Sequence, residues 1–441
     1  MPNFTMDSAI FSGAKTIRDL FGLLLPNEYS DPETEFMACR ETAWLGINLN
    51  NSPVYDVSGP DAAKFFSKTC VNKDFSTMVT GQSKHALVCN DKGQLLADGV
   101  AMKRDGNVWR TYWLAPVLQY FVETSGLDVK GEYIADEYFF QVDGPKSLEI
   151  LEEACQCDLH DIGFACNKTV KIAGSEMVVH RLGMSGCLAY EVHGNARRAD
   201  AVYTRIREVL EKYGGKPQGV RNYAILNHTP AGYPNMYQHY AYPLTAGNPG
   251  LAEFARKNCW LFPLLGSAEN EPEAFYVTPY DIGWGYLVNF DHDFTGKDTL
   301  MKIKDNPPKK VVTLEWNADD VAEVFSSQFR GRDVERYDSI EPYTQLDSAD
   351  FGIRCDYVCS NGGNIGIASG RTYAFYERRM ISLAFIDKEY AVEGKDVTVL
   401  WGRPGHPQIA IRAKVARFPY YNDELRNETF DVEKIPRHVV V

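Results

Sequence analysis

Val57-Ser58-Gly59-Pro60-Asp61-Ala62-Ala63-Lys64-Phe65-Phe66 recurs as Val142-Asp143-Gly144-Pro145-Lys146-Ser147-Leu148-Glu149-Ile150-Leu151. Each copy reads as a strand end, a glycine that permits a sharp turn, and a proline at the first helical position, where its missing N–H is no loss. Two related α/β halves follow from the repetition. Between the copies, Cys89-Asn90-Asp91-Lys92-Gly93-Gln94-Leu95-Leu96-Ala97-Asp98-Gly99-Val100 is a turn between apolar runs that ends on one carboxylate, Asp98, a candidate reactive group.

At 441 residues the chain has room for about two to four domains. Its 59 acidic and 46 basic side chains leave a net charge of −13, and no Lys/Arg-rich run offsets it. Nucleic acid and anionic membranes are therefore poor partners. Met1-Pro2-Asn3-Phe4-Thr5 lacks the charged start of a signal peptide, and the apolar run from Leu20 to Leu25 stops at Pro26. The reading is a soluble, cytoplasmic protein. The ten cysteines are scattered, and the Cys155/Cys157 and Cys355/Cys359 pairs lack the second ligand pair of a zinc site. They read as reduced, packed thiols. Asp291-His292-Asp293 is rejected as a metal site, because adjacent residues point apart.

Residues 12–25 read as a short amphipathic helix and 27–40 as a polar loop, with strands and turns dominating to about residue 140. From Ala196 to Tyr213 the apolar residues Val202, Ile206, Val209 and Leu210 keep helical spacing, and Gly214-Gly215 ends the run. Aromatic residues, Pro and Gly interrupt every periodicity over 227–280, the signature of a long functional loop. After Lys304–Lys310 a strand-rich region begins, with an acidic insertion at 331–350 and β-type runs at Ile381–Ile386, Val397–Leu400 and Ile409–Val415. Those runs predict a small barrel or sandwich.

Six motifs in order carry a family resemblance: Val57–Ala62; Gly81-Gln82; Asn90-Asp91-x-Gly93-x4-Asp98; Val142–Pro145; Arg181-Leu182-Gly183-Met184-Ser185-Gly186-x3-Tyr190-Glu191; and Asp293-Phe294-Thr295-Gly296-Lys297. Together they resemble the aminomethyltransferase (glycine-cleavage T-protein) family, whose last domain is matched by Ile367-Ala368-Ser369-Gly370 and Ile381–Phe385. The resemblance implies an α+β, T-protein-like fold, with two related α/β halves around a central folate channel and a C-terminal β-barrel-like module. Residues 1–305 would form the folate-binding region and 306–441 the β-rich domain. It implies tetrahydrofolate as cofactor, with the family's pterin-binding carboxylate on Glu191, Tyr190 and Trp284 beside it, and the family's Gly-turn carboxylate on Asp98.

The chain departs from the glycine-cleavage pattern at Ile225–Tyr242, where the usual Arg is missing and aromatic residues crowd. That departure resembles the branch that demethylates methoxylated aromatic acids such as vanillate or syringate. A flat substrate favours aromatic walls and its carboxylate an Arg, so Arg110, Trp113, His85 and Tyr237 are expected on the substrate. The departing phenolate needs a proton, and a tyrosine hydroxyl, with a reference pKa of about 10, matches it. Tyr240, then Tyr242, are the candidate acids, with His239 as relay and Asp98 aligning the folate. A sulfonium or methylamine donor, aminomethyl transfer and non-enzymatic folate binding remain as alternatives; a carboxylate-rich pocket without Arg would favour a cationic donor.

Overall fold

The computed structural model describes residues 4–20, 22–47, 52–222, 227–236, 238–340 and 352–437. Both copies of the repeat fold alike. Strand Val54–Ser58 runs through Gly59 into helix Ala62–Thr69, and strand Glu137–Asp143 runs through Gly144 into helix Ser147–Cys155. Gly59 and Gly144 have φ of 128° and 134°. A Cβ on Gly59 would lie 2.5 Å from the Asp128 carbonyl oxygen, and one on Gly144 equally close to that of Thr42. Glycine is thus required twice over, by conformation and by close approach. The prolines precede the capping residues Asp61 and Lys146 rather than opening the helices, a shift of two residues from the reading above.

After each helix a three-strand meander returns to pair with the repeat strand. The first sheet runs Ser83–Cys89, Leu95–Lys103, Val108–Tyr112, Val54–Ser58, Lys130–Tyr133. In the second, Asn167–Ile172, Ser175–His180, Ala189–Asn195 and Glu137–Asp143 repeat that order, and Trp44–Gly46 and Lys216–Gln218 extend it. The halves meet edge to edge: Gln82 bridges Cys166, and the Ser83 amide donates to the Ala165 carbonyl at 2.9 Å. Helix Ala199–Lys212 forms as its spacing predicts, with Val202, Ile206, Val209 and Leu210 buried.

The C-terminal strands close a six-stranded barrel in the order Ile353–Ser360, Gly363–Ala374, Arg379–Asp387, Lys309–Trp316, Ile409–Ala416, Asp396–Trp401, and Leu264–Leu265 adds to its edge. The arrangement is the expected α+β one, two related α/β halves with a C-terminal β-barrel module. Three local readings are corrected. Residues 12–25 enter a hairpin of Thr16–Leu20 and Leu23–Glu28, turned at Gly22 with φ of 80°, and Pro32–Glu41 is a helix capped by the Asp31 side chain. Within 227–280, Asn248 caps a ten-residue helix, Pro249–Asn258, that the aromatic and glycine content obscured. Residues 341–350 of the acidic insertion lie outside the described residues.

Candidate active site

Strand alternation sends Ala97 into the core and Asp98 to the opposite face, where it lines a cavity of about 410 Å³ between the two halves. Its Oδ1 accepts the hydroxyl of Tyr240 at 2.6 Å and that of Tyr242, and its backbone N–H donates to the Tyr242 oxygen at 2.8 Å. Oδ2 lies 3.0 Å from Nε2 of His85, whose ring stands edge-on to Trp284 at 4.5 Å. Three expected site residues, Tyr240, Tyr242 and Trp284, therefore converge on Asp98 and its neighbour His85. His85, Asp98, Trp113 and Trp284 line the cavity; the two tyrosines stand behind Asp98, which is the group that reaches it.

Glu191 lines the same cavity from the second half. It is held by register: His180 and Gln141 are its direct partners on the neighbouring strands, and His193 follows two residues later on the same face. His180 Nδ1 and His193 Nε2 approach its Oε2 at 3.1 and 3.0 Å, while Oε1 has the Gln141 amide at 3.4 Å. Burial pushes the carboxyl up, yet the bonds from the two histidines outweigh it and hold Glu191 down to about 2. Burial also lowers His180, so its neutral ring donates through Nδ1 and accepts the Ser83 hydroxyl at Nε2, 2.6 Å away. For His193 burial is outweighed by Glu137 and Glu191, whose carboxylates raise it. The network continues from Glu137 to Arg110 and Tyr112.

His180, His193 and Glu137 escaped the sequence reading. The signal for His193 was present, since Glu191-Val192-His193 places i and i+2 on one face; nothing local marks the other two. Among the described residues His180, Glu191 and His193 also have the composition of a metal site, but the two imidazoles already hydrogen-bond the same Glu191 oxygen.

Three expectations need revision, and a fourth falls outside the described residues. Tyr190 alternates away from Glu191 into the core of the second half, fully buried, so it does not touch a cofactor in the cavity. Arg110 faces Asp56 across the strand pair and is chelated by it at 2.8 Å while also pairing with Glu137. Its fork is filled, and it is not free for a substrate carboxylate. His239 is fully buried, its Nδ1 accepting the Asn235 amide at 2.9 Å and its Nε2 facing the Thr229 hydroxyl at 3.0 Å. Burial, then His228, drives it down to about 3, so it stays neutral and packs against Gly370 rather than relaying protons. Tyr237 lies outside the described residues.

Residues 7–256 match the model of the GCVT N-terminal domain, more than half of the chain. The chain belongs to this family. Sesamin methylene transferase of Sinomonas sp. (strain No.22) is 46% identical, over 98% of each chain. Syringate O-demethylase of Sphingobium sp. (strain NBRC 103272 / SYK-6) is 27% identical over 90% of each. The glycine-cleavage aminomethyltransferase T of Bartonella henselae superposes with a TM-score of 0.67, covering 94% of this chain and 96% of its own at 15% identity, which establishes the shared fold. This GCVT-family chain is a one-carbon transferase, and no helix among its described residues is long and apolar enough to cross a membrane.

Proposed function

We propose that the cavity holds a reduced folate and an aryl ether together and moves the ether's one-carbon unit to folate N5. The observation that carries this reading is the pair of fixed carboxylates on one cavity, Glu191 from one half and Asp98 from the other. Glu191 fits a pterin: it is anionic, its Oε2 is immobilised, and its Oε1 has a single long hydrogen bond. A carboxylate in that state accepts the paired N–H groups of a pterin ring. When bound, the folate supplies the nucleophilic nitrogen.

The rest is the work of this chain's residues. As the carbon–oxygen bond breaks, its electron pair leaves with the aryl oxygen, which needs a proton. Asp98 and His85 present a hydrogen-bonded pair to the cavity, and Tyr240 and Tyr242 fix the carboxylate from behind. The tyrosines thus act as positioning residues, and the Asp98–His85 pair takes up the proton that the alkylated nitrogen releases and passes it to the aryl oxygen, so that one N–C bond forms as one C–O bond breaks. Trp113 and Trp284 supply flat walls for an aromatic donor.

With Arg110 committed to Asp56 and Glu137, donor recognition does not rest on a carboxylate–Arg contact, so neutral aryl ethers join methoxylated acids as substrates. The relative named for sesamin methylene transfer supports that extension, with a methylene bridge as an alternative to a methyl group; in that case two C–O bonds break, N5 and N10 both bond the carbon, and their two protons pass to the two released oxygens. A cationic sulfonium or methylamine donor is the second reading, favoured by a described lining without Arg that includes Asp98, Glu191 and Glu428 and opposed by Lys73 and Lys84, which line it too. Each of these carboxylates is already partnered, Asp98 by tyrosines, Glu191 by histidines and Glu428 by Arg426 at 2.9 Å, which weakens their pull on a cation.

The test is mass-spectrometric detection of 5-methyl- or 5,10-methylenetetrahydrofolate with vanillate, syringate, sesamin, dimethylsulfoniopropionate and dimethylglycine as donors. Carbon transfer from aryl ethers alone is the expected result. Transfer only from the cationic donors would replace the reading, and tight folate binding without any product would favour a non-enzymatic role.

A further inference from the structure

A second cavity of about 370 Å³ adjoins the first, and Trp113 and Met236 line both. The two side chains form the partition between them. Trp113 follows strand Val108–Tyr112, and simple alternation would send it to the face opposite Tyr112. Instead its φ is 67°, a left-handed conformation that a bulky residue adopts only when its surroundings hold it there, and its amide donates to the Ser52 hydroxyl at 3.1 Å. The turn brings the indole into line with Tyr112 on the first cavity's wall. Met236, opposite, is an unbranched and adaptable side chain.

Volume then decides what the second space is for. A single drug-sized ligand fills a pocket of about 300–1,000 Å³. The first cavity, at about 410 Å³, lies near the bottom of that range and has to admit both donor and acceptor. A donor larger than one ring needs further room. The second cavity offers it with matching chemistry: Tyr133, Ile134, Trp260 and Pro116 line it, and none of its described lining residues is charged. Its polar groups are engaged elsewhere, the Tyr133 hydroxyl on Gln119 at 2.8 Å and the Asn258 amide on the Phe254 carbonyl at 2.9 Å.

We propose that the second cavity receives the remote ring of a donor carrying two aryl groups, while the ether-bearing ring lies in the first cavity beside Asp98 and His85. This rests on the aryl-ether reading above and narrows its substrate class to neutral two-ring aryl ethers. Trp113 and Met236 grip the linker between the rings.

Ala135 is an exposed residue at the rim of the second cavity, so Ala135→Trp fills that space without disturbing the core. Two probes are compared by calorimetric binding and by steady-state transfer: sesamin, with two rings, and 1,3-benzodioxole, with one. The variant is expected to lose about tenfold or more in sesamin affinity and kcat/KM, the effect of leaving one aromatic ring unburied, while benzodioxole values stay within about twofold. Trp260→Ala is expected to shift the same probe in the same direction. Equal losses for both probes, no loss for either, or a wild type that binds benzodioxole as tightly as sesamin would overturn the proposal. Failure of the aryl-ether reading looks different: sesamin then yields no 5,10-methylenetetrahydrofolate with the wild type at all.

Discussion

Replacing His193 with Phe removes one of the two hydrogen bonds that hold Glu191 anionic while keeping the stack on Phe139, whose centroid is 4.9 Å away. A hydrogen bond to a charged group contributes about 1.5–3 kcal/mol, which corresponds to about 1–2 pKa units. Loss of that bond alone lifts Glu191 from about 2 to about 3–4, and burial, now less opposed, pushes it further. Because the folded pKa is depressed, the benefit of the ionised carboxylate is complete above its ordinary value of about 4.3 and is lost as pH falls toward 2. The substitution moves that window upward. Wild-type tetrahydrofolate affinity is therefore expected to stay flat from pH 8 to about 5. The variant is expected to match the wild type near pH 7, where its carboxyl is still ionised, and to lose affinity by about tenfold or more as pH falls from about 5 toward 3. Calorimetric titration across both ranges reads the difference, and His193→Gln, which keeps an N–H donor, should recover part of the affinity. A His193→Phe protein that folds normally and binds folate with unchanged affinity at every pH would refute the assignment of Glu191 as the pterin anchor.

Arg110→Met breaks a partly buried pair with Asp56 and Glu137 and is expected to cost about 3–5 kcal/mol of stability; a selective rise in KM for carboxylated donors in a protein of normal thermal stability would return Arg110 to substrate binding. Tyr242→Phe removes a hydroxyl that both donates to and accepts from Asp98, so kcat should fall about tenfold with little change in donor KM, and Tyr240→Phe should act in the same direction. Gly370→Ala would put a Cβ 2.2 Å from His239 Nε2 at a φ of 59°, and a loss of about 2–5 kcal/mol, read as a lower unfolding midpoint, is expected. Dialysis against EDTA is expected to leave folate binding unchanged; a loss restored by a divalent ion would reassign His180, Glu191 and His193 to a metal.

The repeat, the Ala199–Lys212 helix and the barrel strands were legible in the sequence because each is set by short-range chemistry: a glycine required by a turn, a period of 3.6 or 2, a cluster of turn residues. Asp98 and Glu191 could be placed on one cavity because ordered motifs fixed their strands. Residues 12–25 read as a helix yet enter a hairpin, since a short apolar run satisfies either period. What only the tertiary structure decided is who meets whom. Arg110 is committed because register sets it opposite Asp56, and Glu191 is clamped because register sets it opposite His180. His239, flanked by two tyrosine-bearing segments in sequence, is buried against Gly370 of the barrel. Periodicity tells a side chain which way to point, but the partner it finds there arrives from a distant strand, and no local pattern encodes that strand's register.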